Sequence, residues 1–398
     1  MIAADAAYDG CVVGAGFAGI AASVELARLG CKTLLIEKSQ ALGGVAHTGM
    51  HQELCGLYGN VESVSHVTLN SGLSREVAGH LLATGGSNVL NIGRVTVLRV
   101  DTQTLQDVLS DLVGAERNLD IIFEAEVAAV HVKNQSINRI DLRTREQMRS
   151  IGVRVVIDGS AGEVVRLSGA GYDLAPANER QLAAYAVAIG DVIGDPRMLN
   201  VKLAYRLSQA ALDGEIPPTL RYSAWLTGGT ARTGVLRISV LPSDDGYDLE
   251  RVRDEARRVH GLMKQKIVEF KDSIMDVMAS AVSEREGIRM TGRYRLLGTD
   301  VLEARKFRDG GAKCAWPIEF WDQRRGPQYQ HVPDGDYYEI PTRALQSRDI
   351  ENLFAAGRCI SADSKALASA RVTGTCLAVG EQSARAACSY LTTSFERH

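Results

Sequence analysis

Gly14, Gly16 and Gly19 follow the apolar run Tyr8-Asp9-Gly10-Cys11-Val12-Val13, with Phe17 and Ala18 set among them. Glycines in this order fit a strand that turns sharply into a helix. The first permits the tight turn. The second lets the backbone approach a pyrophosphate, and the third lets the helix pack close to the sheet. A pyrophosphate there faces unpaired N–H groups at the positive end of the helix dipole. About twenty residues further on, Leu34-Leu35-Ile36 reads as a second strand and runs into Glu37-Lys38. An acidic residue at that distance meets ribose hydroxyls, and its charge disfavours a 2′-phosphate. Together these residues predict a site for the adenosine diphosphate half of a dinucleotide, with NADP disfavoured. The pair Gly43-Gly44, leading into Val45-Ala46, points toward FAD.

The surrounding elements must hold these residues in place. Residues 8–38 are expected to form a β-α-β unit, with Ile20, Val24 and Ala27 on one helical face. Residues 43–60 form a glycine-rich loop, and helices are predicted over 74–84 and 103–115. Strands are predicted at Ile121-Ile122-Phe123 and, as a small meander, over 126–130 and 139–142. Val153–Asp158 reads as a buried strand returning to a parallel sheet, as does Asn352–Ala356 before Gly357-Arg358. A helix of small residues begins near Thr373. Between these parts, strands are expected at 183–189 and 235–241. Val252, Ala256, Val259, Met263, Ile267, Phe270, Ile274 and Met278 step by threes and fours and predict one long, core-facing helix. Gly, Asp, Arg and aromatics crowd 307–338 and predict irregular loops lining a site. The expected fold class is α/β. A Rossmann-like FAD-binding domain with a parallel sheet and a β-meander occupies 1–175 and 335–398. A β-rich substrate, or cap, domain occupies 176–334.

The 398 residues exceed one ordinary domain, consistent with this division. A formal net charge of -3 gives no case for nucleic acid or an anionic membrane as partner. The seven cysteines are odd in number and lack a C-x-x-C pair, which fits reduced thiols in a cytoplasm. No basic n-region, cleavage site or long apolar run is present, so neither a signal peptide nor a membrane span is expected. The histidines are scattered without metal-ligand spacing, so no metal is expected. No G-x-S-x-G elbow supports a hydrolase.

The chain resembles the FAD-dependent oxidoreductases of the glutathione-reductase-like fold. The resemblance rests on Gly43-Gly44-Val45-Ala46, Cys55-Gly56-Leu57-Tyr58, Val156–Gly162, Tyr338–Leu345, Ala356-Gly357-Arg358-Cys359-Ile360-Ser361 and Arg371–Cys376. It implies FAD as cofactor. Val127 would then place its backbone against the adenine, and Asp158 with Gly159 would close the domain near the ADP moiety. Gly357 and Arg358 would approach the ribityl chain and pyrophosphate. The helix starting at Gly374, Thr375 and Cys376 would aim its N–H groups at the flavin N1–C2=O edge, where its dipole favours the reduced ring. Plain strand, turn and small-residue packing are the competing readings of these segments. The chain departs from the family at Gly159-Ser160-Ala161-Gly162, where the glycine is shifted, and at Glu284–Tyr294, where the arginine pattern differs.

With the flavin carrying the redox chemistry, catalytic candidates are loop residues near the ring. His47, His51 and Cys55 follow the glycine pair, and His47 or Cys55 serves as a base, a substrate contact or a covalent flavin attachment. The alternatives are a surface histidine and a buried thiol. Arg343 and Arg371 are candidates to hold a substrate carboxylate or to stabilise reduced flavin, with structural ion pairs as the competing reading. His331 is the first histidine to test as a proton-transfer group. The implied activity is oxidation of a small organic substrate by hydride transfer to flavin N5, with reoxidation by O2 or another acceptor. The alternatives are a flavin monooxygenase, a flavin-binding subunit without turnover of its own, and an NAD site without flavin.

Overall fold

The computed structural model describes residues 7–60, 67–227 and 232–395. The first six residues, where no leader was expected, lie outside them. The chain folds around a seven-stranded sheet. Ala7–Val13 pairs in parallel with Thr33–Ile36 on one side and with Met148–Asp158 on the other. Leu119–Ile122 extends the sheet beyond Thr33–Ile36. Leu353–Ala355, from the far end of the chain, lies parallel to Val156–Asp158. The first half of Met148–Asp158 pairs instead with Ser136–Arg143, which pairs antiparallel with Glu126–Lys133. One long strand therefore joins the parallel sheet to the meander.

The first helix, Phe17–Arg28, is buried from Phe17 to Ala27. It packs against the last helix, Thr373–Phe395, so more than one face is covered. Gly380 of the last helix sits where a side chain would strike the carbonyl of Ala18. Small residues here let two helices approach closely behind the glycine turn. The helices expected near 74–84 and 103–115 are Leu73–Ala83 and Thr102–Gly114. Asp101 caps the second by accepting from Gln103 and Thr104 N–H. A three-stranded sheet of Glu53–Cys55, Val95–Val100 and Ser87–Ile92 stands beside them.

A second hydrophobic core forms between residues 183 and 279. Its sheet runs Ala224–Thr227, Gly234–Val240, Ala183–Gly190, Ile274–Met278, all antiparallel. Pro196–Leu212 and Leu249–Lys266 are the helices of this core. The long helix expected through Met278 ends at Lys266. Ile267 is extended (φ -131°, ψ 108°), and Val268–Phe270 makes a single 3-10 turn. Ile274–Met278 is an edge strand. Ile267 and Phe270 still reach the same core, so the apolar spacing continued after the helix had stopped. The β-branched pair Ile267-Val268 marks the break.

The irregular loops expected over 307–338 are broken by short strands that make up half of the segment. Ile318–Asp322 and Gly326–Gln330 form a hairpin, and Gly310–Cys314 pairs with Tyr338–Pro341. Turn residues there separate short strands, with Gly326 at φ +74°. Met290 through Val332 contribute side chains to the first core, although 176–334 was expected to form the cap. Among the described residues, no helix is long and apolar enough to cross a membrane.

Candidate functional site

A cleft of about 310 Å3 opens at the carboxyl ends of Ala7–Val13 and Thr33–Ile36. Such ends, at a point where strand order reverses, are where open α/β sheets bind ligands. Among the sequence-predicted cofactor residues, Gly14, Gly16, Phe17, Ala18, Glu37, Lys38, Gly43, Gly44, Val45, Val127, Gly159, Gly357, Arg358 and Cys376 line it. Thr48 and Arg371 also line it, as do Ala281–Glu284 where the chain returns from the cap.

The glycine turn is built from the inside. Gly14 has φ +95°, and a Cβ there would come within 2.7 Å of the Gly159 carbonyl oxygen. Gly16 has open space where a side chain would stand. It precedes the first helix, whose first turn has no acidic residue and no side-chain cap. The leading N–H groups therefore face the cleft without a protein acceptor, as an anion site requires. Glu37 is buried and fixed by backbone: its carboxylate accepts the Ala15 N–H at 2.6 Å and the Ser39 N–H at 2.8 Å. One carboxylate thus ties the glycine turn to the end of the second strand while lining the cleft. These features fit the ADP half of FAD.

Other expected cofactor residues act behind the cleft. Gly19 packs against Gly14, and Ala46 is buried beneath the glycine pair. Asp158 is fully buried and accepts from Ser160 and Val165 N–H and from the Ser160 hydroxyl, so it shapes the turn without lining the cleft. A Cβ on Gly374 would lie 2.5 Å from the Leu57 nitrogen, so its bareness serves packing against the Cys55–Leu57 segment. Thr375 is buried against the Cys314 thiol at 3.3 Å. Thr373 lines the cleft instead, and its hydroxyl accepts the Cys55 N–H at 3.1 Å.

The structure separates the catalytic candidates. His47 and His331 are exposed and line no part of the cleft. Arg343 is bound at the surface by both carboxylate oxygens of Asp309, at 3.0 and 3.1 Å. Its side chain is spoken for far from the glycine turn. Arg371 does line the cleft.

Arg371 belongs to a cluster that sequence reading missed in part. Arg237, from the cap strand Gly234–Val240, reaches Glu53 at 3.4 Å. The Arg285 guanidinium stacks 4.0 Å above the Trp321 ring and donates to the Leu182 carbonyl. Arg371 donates to the backbone carbonyl of Glu319 at 3.4 Å. Desolvation first, and the charge of Arg371 next, push the Arg285 guanidinium down to about 9. Burial also lowers Arg371. His51 lies within the field of all three arginines. Desolvation and then their charges hold its pKa well below the ordinary value. Burial pushes the Cys55 thiol far above its usual range and the Cys376 thiol up to about 12. Neither is a thiolate near neutral pH. Arg237 had a signal in the sequence, as the one charge in the otherwise apolar run Gly234-Val235-Leu236-Arg237-Ile238-Ser239-Val240.

A larger cavity of about 1070 Å3, lined by Lys133, Arg293, Gln346 and Tyr390 among others, shares no residue with the cleft. The glycine turn and Glu37 meet the start of the last helix, at Thr373 and Cys376, only at the smaller one, which is the candidate site. Among the described residues, no group of three or more His, Cys, Asp or Glu side chains is placed to hold a metal ion.

Comparisons with known proteins agree with this geometry. Digeranylgeranylglycerophospholipid reductase 1 of Methanococcoides burtonii is 25% identical over 201 residues, which are 46% of this chain and 46% of that protein. The match thus spans about half the length of that curated relative. A geranylgeranyl bacteriochlorophyll reductase-like structure from Thermoplasma acidophilum aligns with TM-score 0.51 at 12% identity, covering 98% of this chain and 79% of that one. The flavin-dependent brominase Bmp2 aligns with TM-score 0.52 at 12% identity, covering 97% and 80%. At such identity the two structures speak for the fold alone. The profile of the FAD dependent oxidoreductase family matches residues 9–396, and with the dinucleotide cleft in place the chain belongs to that family.

Proposed function

We propose that this FAD-dependent oxidoreductase oxidises a small organic substrate bound between the sheet and the cap, by hydride transfer to flavin N5. The FAD supplies the redox chemistry when bound. The chain's own residues bind and orient. The first helix and Gly14–Gly16 would hold the pyrophosphate, and Glu37 would meet the ribose. The start of the last helix, with Thr373 and Cys376, would border the ring, while Ala281–Glu284 from the cap and Arg371 would cover the substrate side.

The observation that carries this reading is the sharing of one cleft between the dinucleotide turn and the cap-derived segment Ala281–Glu284. The sequence contains one dinucleotide fingerprint, so a separate NAD(P)H domain is not part of the reading, and this favours reduction by the substrate itself. The seven cysteines, all free, support a reducing compartment such as the cytoplasm.

A second reading runs the reaction in the opposite direction, as a flavin-dependent reductase. The name of the curated relative from Methanococcoides burtonii favours it.

The test is anaerobic. The purified yellow protein is mixed with NADH or NADPH, then with a panel of small acids, amines and alcohols. Bleaching by a substrate alone supports the proposal. Fast bleaching by NADH or NADPH alone overturns it in favour of a reductase or monooxygenase. A colourless protein that takes up no FAD overturns it altogether.

A further inference from the structure

We propose that the substrate is a small carboxylic acid, held by the guanidinium group of Arg371, which lines the cleft, together with those of Arg237 and Arg285 beside it. This inference rests on the reading of the cleft as the FAD site and adds the substrate class.

The three arginines come from three separate parts of the chain: a cap strand, the segment returning from the cap, and the turn before the last helix. Cores rarely gather like charges without counter-charges, because each ion loses its hydration on burial. Here the counter-charges fall short. Glu53 is shared between Arg237 and Arg99. Glu319 is an opposing charge for both Arg285 and Arg371 but forms an ion pair with neither, and its carboxylate oxygens accept the indole N–H groups of Trp316 and Trp321, at 3.1 and 2.7 Å. Among the described residues, no carboxylate lies within ion-pair distance of Arg285 or Arg371, and the Nε groups of Arg237 and Arg371 are buried without a hydrogen-bond partner.

The cluster is not a second pyrophosphate site. Of the three, only Arg371 lines the cofactor cleft. A guanidinium fork matches a carboxylate bidentately, and an acid bound there satisfies donors that the protein leaves open. The wall beside Arg285 is the Trp321 indole, which keeps the guanidinium plane fixed. The three side chains are half-buried, so an ion pair formed there is screened less than one on an open surface.

Calorimetric titration of the purified protein with benzoate and succinate, against the uncharged benzamide and succinamide at equal ionic strength, tests this. The acids are expected to bind at least tenfold more tightly than the amides. Arg285→Gln and Arg237→Gln are each expected to weaken acid binding at least tenfold while FAD content and Tm stay near wild type. Equal binding of acids and amides to the unmodified protein overturns the inference without recourse to any variant. Tighter binding of inorganic phosphate than of either acid overturns the carboxylate assignment. The titration needs no turnover. A protein that binds acids but holds no FAD defeats the functional reading alone, and one that holds FAD but binds no acid defeats this inference alone.

Discussion

The Glu37 carboxylate accepts the backbone N–H of Ala15 at 2.6 Å, across the strand end that faces the cleft. An acid read from the sequence as a ribose ligand is therefore also the strut of the glycine turn. Its other oxygen takes the Ser39 N–H. Glu37→Ala strands the buried Ala15 N–H, where an unpaired group costs about 1–3 kcal/mol, and the part-buried Ser39 N–H beside it. The expected outcome is a clear fall in Tm of the flavin-free protein as well as loss of FAD. A variant that loses only FAD affinity, with unchanged apo stability, would show that the strut carries no load.

The glycine turn offers a contrast within one motif. At Gly19 a Cβ would fall inside the shell of the Gly14 carbonyl oxygen, whereas at Gly16 it would meet nothing within 4 Å. Gly19→Ala should destabilise the chain by about 1–3 kcal/mol, as overpacking does. Gly16→Ala should cost the apo protein about 1 kcal/mol or less, the difference between glycine and alanine at a helix N-cap. It should nevertheless weaken FAD binding at least tenfold, because the added methyl occupies the approach to the pyrophosphate. Fluorescence titration with FAD, beside thermal melts of stripped protein, checks both.

The parts legible in the sequence were those with local physical signatures. Gly14 and Gly16 combine backbone and ligand constraints within three residues, and the strand ending at Asp158 has a buried apolar run. What escaped depended on tertiary partners. Ile274–Met278 kept the helical spacing of its neighbours but joined a sheet edge, and only pairing with Ala183–Gly190 decides that. Gly374 shows the same limit from the other side. Its lack of a side chain is required by close packing against Leu57 and the Cys55 carbonyl, a demand that only the fold makes visible. Arg237 and Arg285 lie far from each other in sequence and from Arg371, so their convergence is a property of the fold.

His51 predicts a pH dependence. Burial and the charges of Arg237, Arg285 and Arg371 depress its folded-state pKa. The unfolded chain therefore binds the proton more readily, and stability is lost as pH falls below the ordinary histidine value of about 6.5. The slope from this one group approaches 1.4 kcal/mol per pH unit in that window. His260, also depressed by burial, contributes in the same direction. Denaturant melts of wild type and His51→Gln between pH 7.5 and 5 isolate the His51 share, since His260 is common to both. The variant should show the shallower loss, and parallel curves would place the His51 proton outside this linkage.

The thiols bear on how FAD is held. Cys55 ends the strand Glu53–Cys55, and Cys376 lies in the first turn of the last helix, where it borders the cleft. Attachment of flavin through sulfur requires a nucleophilic thiolate. Burial raises both thiols, Cys55 farthest, and the Cys376 thiol instead donates to the Arg371 carbonyl at 3.3 Å. FAD should therefore be released quantitatively into the supernatant by acid precipitation. Cys55→Ala and Cys376→Ala should retain flavin at wild-type stoichiometry. Yellow colour persisting in the washed pellet of the wild type, and lost in either alanine variant, would reverse the assignment and place a covalent bond at that sulfur.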